Sequence, residues 1–281
     1  MSTTTDTPTA NSTSDTSIQA LKESLRATWT AGDYDYFSRY MESSAVEFFD
    51  RLERPSGTSF LDVACGSGQL ALVAARRGFE VTGVDIATNS IEAARGRALF
   101  ENLDARFDEG DAEALPYANA SFDTVATLYG AMFAPRPELV ASELLRVTRP
   151  GGVVAMANWN AEGFIGELFR VIARFISPPG MPSPLLWGDR DTVRKRFASG
   201  VSDLGLTTVT YTFEYPFPPA GVVELFRKYY GPTRRGFDSL GAEAQAGLRG
   251  ELEDLWTSRN EATDGTTRIT SEYLEVVATR A

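Results

Sequence analysis

The residues best placed to do chemistry in this chain are three aspartates and a glycine turn. Asp62 lies in "FLDVACGSG", inside an apolar run and just ahead of Gly66, Ser67 and Gly68. Asp85 closes a second apolar run, "EVTGVD", and Asp111 sits in "EGDAEALPY". Glycine in a strand-to-helix turn lets the backbone approach a ligand and take torsions that other residues avoid. A carboxylate ending the next strand can accept both hydroxyls of a ribose. Asp111 can accept the exocyclic amine of an adenine, while the Ala112 backbone N–H faces a ring nitrogen. The layout suits a nucleotide-like cofactor. Three readings compete: a plain turn with a solvated aspartate, a nicotinamide or flavin fingerprint, and a sulfonium cofactor. "GSGQLA" fits the dinucleotide pattern G-x-G-x-x-A. That fingerprint does not normally place an acid where Asp62 stands. A carboxylate there can receive the ammonium of a methionine moiety, so Asp62 and Asp111 together favour S-adenosylmethionine.

What the chain lacks narrows the chemistry further. Its 281 residues include no histidine. That excludes a histidine base, a histidine metal ligand and every Ser-His or Cys-His triad. The one cysteine, Cys65, allows no intrachain disulfide and suits a reducing, cytoplasmic setting. One cysteine without histidine also excludes the usual zinc sites, so no metal is expected. Cys65 itself reads as a small packing residue of the loop. A net charge of −11 makes nucleic acid and anionic membrane surfaces poor partners. No apolar run approaches membrane-spanning length. The opening "MSTTTDTPTANSTSDTS" lacks the basic and apolar stretches of a signal peptide and reads as a disordered tail over residues 1–17.

The elements that must position these residues alternate along the middle of the chain. Residues 18–52 read as helical and rich in aromatics. Strands are expected over 58–64, 80–84, 105–108, at "SFDTVATLYGA" and at "GVVAMANW". Helices stand between them: residues 68–77 closed by Gly78, a helix opened by an Asn89/Glu92 capping pair, and "PELVASELLRVT". Such alternation predicts a parallel sheet with helices on both faces. After Trp159 come a helix at "EGFIGELFRVIARFI", an irregular Pro-rich stretch, and a short helix at "DTVRKRF". A strand at "LTTVTYTFEYPF", two helical stretches and a last strand at "RITSEYLEVVAT" complete the chain. Residues 18–281 read as one domain, with lid or substrate segments at about 18–52, 160–200 and 218–262.

Four stretches, "LDVACGSG", "VTGVDIA", "EGDAEALPYANASFDTV" and "ELLRVTRPGGVVAMANW", together resemble the class I S-adenosylmethionine-dependent methyltransferases. The branch they are most similar to includes the ubiquinone/menaquinone C-methyltransferases and many small-molecule methyltransferases. They cover about residues 58–160 in the family's order and spacing. One departure is Ala64, which stands where the family usually opens its glycine run. The resemblance implies an α/β, Rossmann-like, doubly wound seven-stranded sheet of order 3-2-1-4-5-7-6, with strand 7 antiparallel and helical lid segments. It implies that Asp62, Ala64, Gly66, Ser67 and Gly68 surround the methionine end of the cofactor. Asp85 would hold the ribose, Ile86 would pack on the adenine, and Asp111 and Ala112 would read its edge. Leu128 and Tyr129 would pass near the sulfonium.

Methyl transfer from a sulfonium is an in-line displacement, so alignment and exclusion of water are the main tasks. The acceptor chamber is expected from the aromatic segments outside the motifs. Trp29 and Tyr34 come from the first, Trp159, Phe164 and Trp187 from the second, and Tyr229 and Tyr230 from the third. Aromatics of this density can enclose a small apolar or aromatic acceptor, or simply pack as a lid core. Arg39 is a candidate for the cofactor carboxylate or an acidic substrate. The pair Arg234 and Arg235 reads as a charged turn that could instead meet an anionic substrate group. The element N/D-P-P-Y/F of amino-methylating DNA enzymes is absent, since "LYGAMF" follows strand four. No catalytic base is identifiable. A nucleotide-dependent oxidoreductase and a non-catalytic cofactor-binding protein remain the alternatives.

Overall fold

A computed structural model describes residues 11–178 and 180–281. Seven strands form one sheet: β1 (Ser59–Val63), β2 (Glu80–Asp85), β3 (Ala105–Glu109), β4 (Phe122–Leu128), β5 (Thr148–Trp159), β6 (Val201–Tyr215) and β7 (Thr267–Arg280). Their order is β3-β2-β1-β4-β5-β7-β6. The first five pair in parallel, and β7 runs antiparallel to both β5 and β6. The chain therefore reverses its winding between β1 and β4, where such sheets leave a crevice for ligands.

The strands are apolar because both faces are covered. Phe60, Leu61 and Val63 of β1 and Val154 to Ala157 of β5 are buried. The helices α4 (Gln69–Arg76), α5 (Thr88–Phe100) and α6 (Pro137–Val147) connect the parallel strands. In α4, Leu70 to Ala74 are all buried. At the other edge β6 shows two-residue alternation, with Tyr211, Phe213 and Tyr215 buried.

The helices outside this frame lie mostly in the three segments read from the sequence as a lid. They are α1 (Asn11–Trp29), α2 (Tyr34–Ser38) and α3 (Glu42–Arg51), then α7 (Phe164–Ile172) and α8 (Arg190–Arg196). Between β6 and β7 lie α9 (Pro219–Tyr229), α10 (Gly231–Asp238) and α11 (Ala242–Arg259). Two corners of this lid cross at backbone contact. The Asp33 N–H donates to Tyr229 O at 2.9 Å. A Cβ on Gly32 would strike that same carbonyl, and one on Gly231 would strike Thr28 O. Only glycine permits this crossing.

Several local expectations need correction. Helix α1 begins at Asn11, inside the stretch read as a disordered tail; residues 1–10 of that stretch lie outside the described residues. The Asn89 side chain does not cap α5. It donates to Thr30 O and Gly32 O at 3.4 Å each, while Asp85 accepts the Ala87 N–H at the helix entrance. The charged turn at Arg234 and Arg235 is helical, because Pro232 at its start lacks only an N–H that the first turn leaves unbonded. Strand β5 starts at Thr148, four residues ahead of the "GVVAMANW" run expected as the strand.

Candidate active site

The turn after β1 is built from left-handed residues. Ala64, Gly66 and Gly68 have φ of 56°, 54° and 85°. Ala64 bears the cost of a Cβ in that region, roughly 1–2 kcal/mol, which is why a glycine is usual at this step. The turn is tied to β2: Cys65 N–H donates to Val84 O at 3.0 Å, and Gly66 N–H to Asp85 Oδ2 at 2.8 Å. The other oxygen of Asp85 accepts the Ala87 N–H at 2.8 Å. Asp85 thus sets the shape of both loops and also borders the cavity.

Asp62 sits behind the turn, buried, accepting the Ala71 N–H of α4 at 3.0 Å. No cation faces it or Asp85 among the described residues. Burial pushes Asp62 up to about 8, and neighbouring Asp85 adds to the rise against the Ala71 hydrogen bond. Asp85 is raised by burial as well, which its backbone hydrogen bonds oppose. A buried carboxyl and a half-buried one without a counter-charge hold a deficit that a cation and hydroxyl donors would relieve.

At the far end of the crevice, Ile86, Ser90, Gly110, Asp111 and Ala112 line the cavity. Asp111 is not open as the sequence suggested. One oxygen accepts the Glu113 N–H at 2.9 Å, and the other meets Lys22 Nζ at 2.5 Å. Lys22 also reaches Glu113 Oε2 at 2.5 Å, and Arg136 meets that buried carboxylate at 2.7 Å. Helix α1 is thereby strapped across the end where the adenine edge was expected.

The remaining cofactor candidates divide. Ser67 is buried and accepts Gln69 Nε2 at 2.8 Å, facing Ser38 rather than the cavity. Gly68 packs α4 against Ala94 and Phe107 and does not line the main space. Leu128 walls a small hollow of about 30 Å³ beside Asp62. Tyr129 borders both spaces with φ at 59°, and its ring stacks on Trp159 at 4.0 Å. Strain at the ends of β1 and β4 coincides with the crevice.

The main cavity measures about 840 Å³ and runs continuously from Asp85 and Asp111 into an apolar chamber under the lid. Of the lid candidates, Trp29, Tyr34, Trp159 and Tyr230 line it. The Tyr34 ring lies on the glycine turn, where a Cβ on Gly66 would come within 2.7 Å of Cε1. Trp29 sets its ring against Phe133 at 5.1 Å and Tyr230 at 5.8 Å.

Four candidates do not face this space. Arg39 points outward to Asp35 at 3.1 Å, one helical turn away. Phe164 is buried against Trp256, with ring centroids 4.5 Å apart. Trp187 is core under the Arg196 guanidinium, 4.2 Å from its ring centre. Tyr229 packs its ring, tilted by 36°, against Tyr36 at 4.4 Å, away from the cavity wall. In exchange, Lys22, Phe133, Leu168 and Phe213 line the cavity and escaped notice. Lys22 carried a signal: Ile18, Leu21, Leu25 and Trp29 repeat as one helical face, and a lysine interrupts it. Among the described residues no group of His, Cys, Asp and Glu could hold a metal ion.

The donor set fits S-adenosylmethionine: a carboxylate where the ribose is expected, an apolar residue and an N–H where the adenine is expected, and a buried carboxyl near the methionine end. Residues 61–156 match the family model described as "Methyltransferase domain". The "Uncharacterized protein Rv1403c" of Mycobacterium tuberculosis is 32% identical over 250 residues, 84% of this chain and 88% of that protein. The 2-methyl-6-phytyl-1,4-hydroquinone methyltransferase of Synechocystis sp. is 37% identical over 107 residues, 38% of this chain and 33% of that one. A solved phosphoethanolamine N-methyltransferase 2 of Haemonchus contortus, in complex with S-adenosylhomocysteine, shares the fold. The TM-score is 0.55 at 18% identity, covering 85% of this chain and 52% of that one. The chain belongs to the S-adenosylmethionine-dependent methyltransferases. Its cofactor is S-adenosylmethionine, and the oxidoreductase and non-catalytic readings fall.

Proposed function

We propose that the protein methylates a small apolar or aromatic molecule, held in the chamber under the lid. One observation carries this reading: the carboxylate-lined crevice and the aromatic chamber form one continuous space. A pocket of this size suits a nucleoside-sized cofactor and a compact second molecule together. When bound, the cofactor supplies an activated methyl group. The chain's own work is to hold both partners in line and keep water out. Asp85 receives the ribose hydroxyls, Ile86 and Ala112 flank the adenine, and Asp62 faces the ammonium across the turn. Tyr34, Trp29 and Trp159 close the space around the sulfonium, where ring faces favour a cation. Residues 18–281 work as one domain, with the lid segments enclosing the acceptor. The net charge of −11 speaks against a nucleic acid acceptor. No helix among the described residues is long and apolar enough to cross a membrane. A single, buried cysteine fits a reducing cytoplasm.

The test has two arms. Calorimetry should show tight S-adenosylhomocysteine binding. Mass spectrometry after incubation with apolar and aromatic alcohols, acids, amines and thiols should show a product heavier by one methylene. Methylation of nucleic acid or protein, with none of the small molecules modified, would sink the proposal.

A further inference from the structure

The acceptor half of the cavity holds phenols and arginines but no base. The carboxylates lining the main cavity, Asp85 and Asp111, stand at its cofactor end, and Asp62 lies behind them in the small hollow. Asp85 is engaged by two backbone N–H groups, and Asp111 by Lys22 and the Glu113 N–H. The chain has no histidine, and Cys65 is buried in the turn with its thiol pushed up by burial. Tyr34, Tyr129 and Tyr230 are raised as well, by burial first, with nearby Asp85 and Asp62 adding to the rise at Tyr34. Each phenol therefore keeps its proton and serves as a donor.

Two of these phenols share one wall of the cavity. Tyr34 and Tyr230 both line the main cavity. Their rings flank the same two aromatics: Trp29 at 6.3 and 5.8 Å, and Phe37 at 5.9 and 4.8 Å. Among the described residues no hydrogen bond reaches either hydroxyl, and this corner is ordered by other groups, such as Asp33 N–H to Tyr229 O and Asn89 to Thr30 O. A phenol on a cavity wall without a protein partner finds one in whatever fills the cavity.

The charge on the same half has one sign. Arg170 and Arg235 line the cavity at its exposed rim. Arg170 donates to Ala161 O at 2.8 Å, and Arg235 to Ser24 O at 3.1 Å and Thr28 Oγ1 at 3.2 Å. Neither has a carboxylate within ion-pair distance among the described residues. In a chain of net charge −11, that leaves the acceptor entrance cationic.

We propose that the acceptor is an apolar molecule whose nucleophile is already an oxygen anion when it binds, a carboxylate or an acidic phenolate, and that the Tyr34 and Tyr230 hydroxyls donate to that oxygen. The proposal rests on the methyl-transfer reading of this cavity. An oxygen lone pair forms the new bond to the methyl carbon as the carbon–sulfur bond breaks. The electron pair of that bond stays on sulfur. The anion and the sulfonium cancel, leaving a neutral ester or ether and a neutral thioether. No proton leaves, so the missing base is not missed. An un-ionised alcohol would have to shed its proton into a chamber with nothing to take it.

The test uses para-nitrophenol as a probe of the full chain saturated with S-adenosylhomocysteine. The bound probe should ionise at lower pH than the free one, read from the yellow phenolate absorbance. Tyr34→Phe and Tyr230→Phe, singly and together, keep the rings and so the packing. They should weaken phenolate binding about tenfold each, the scale of one charge-assisted hydrogen bond. Nitrobenzene, which has no ionisable group, should bind wild type and variants alike. Preference for the neutral phenol overturns the proposal, as do variants that keep the wild-type preference. So does failure of para-nitrophenolate, benzoate and decanoate alike to bind at millimolar concentration. Failure of S-adenosylhomocysteine itself to bind would instead strike the methyl-transfer reading.

Discussion

At the cofactor end of the cavity, polar side chains are fixed by main chain. Asp85 is held by the Gly66 and Ala87 N–H groups, Asp62 by Ala71, and Asp111 by Glu113. At the acceptor end the walls are side chains from α1, α7, α9 and α10, packed ring against ring around Trp29 and Phe226. A backbone-fixed end changes little when its neighbours do, because its geometry follows from the sheet. An end made of side chains can be refitted by substitution without touching the sheet. The first therefore suits a constant ligand and the second a variable one.

That contrast can be broken, and the strongest blow should come at Asp85. Asp85→Ala removes the proposed ribose acceptor and releases two loops, so S-adenosylhomocysteine affinity should fall well over tenfold by calorimetry. Unchanged binding would mean that the ribose is held elsewhere. Gly66→Ala adds a Cβ at positive φ and against the Tyr34 ring, and about a tenfold loss of affinity is expected from roughly 1–2 kcal/mol of strain.

Asp62 sharpens the same comparison through pH. Its carboxyl is raised from 3.8 to about 8 in the folded protein. The folded, cofactor-free protein thus holds that proton more tightly than the unfolded chain does. Its contribution to stability is complete below pH 3.8 and is lost as pH rises toward about 8. Asp62→Asn keeps the oxygen that accepts from Ala71 and removes the charge. At pH 8 the variant should melt a few degrees higher without cofactor and bind S-adenosylhomocysteine more weakly. Equal Tm values at pH 5 and pH 8 for the wild type would refute the assignment.

Smaller effects are expected at the seam and in the chamber. Lys22→Met cuts the strap from α1 to Asp111 and Glu113. Stopped-flow measurement should then show severalfold faster S-adenosylhomocysteine release. Added salt should narrow the gap between the two proteins. Phe226→Leu should shift acceptor KM severalfold and leave S-adenosylhomocysteine affinity within about twofold, since aromatic packing acts at short range. A large loss of cofactor affinity there would erase the distinction between the two ends.

The same contrast decides what was legible beforehand. The sheet could be read because each inner strand is an apolar run bounded by glycine or a charged turn, as in "FLDVACG". Asp85, Ile86, Asp111 and Ala112 could be placed because their positions follow strand ends, and all four line the cavity. Aromatics in the lid could not be sorted in this way. A lid helix has one face toward the cavity and others toward the core or solvent, and composition does not say which. Hence Trp29 and Tyr230 face the cavity, whereas Phe164 and Trp187 are core and Tyr229 lies outside. Long-range pairing was equally invisible, since Lys22 meets Asp111 across 89 residues of chain.

The backbone crossing at Gly32 and Gly231 has a consequence for motion. The corner after α1 and the corner before α10 are locked together without room for a methyl group between them. Asn89 pins the first of these corners to α5 as well. The two segments are thereby joined into one packed unit. Amides of α1 and α10 should exchange hydrogen at one shared rate.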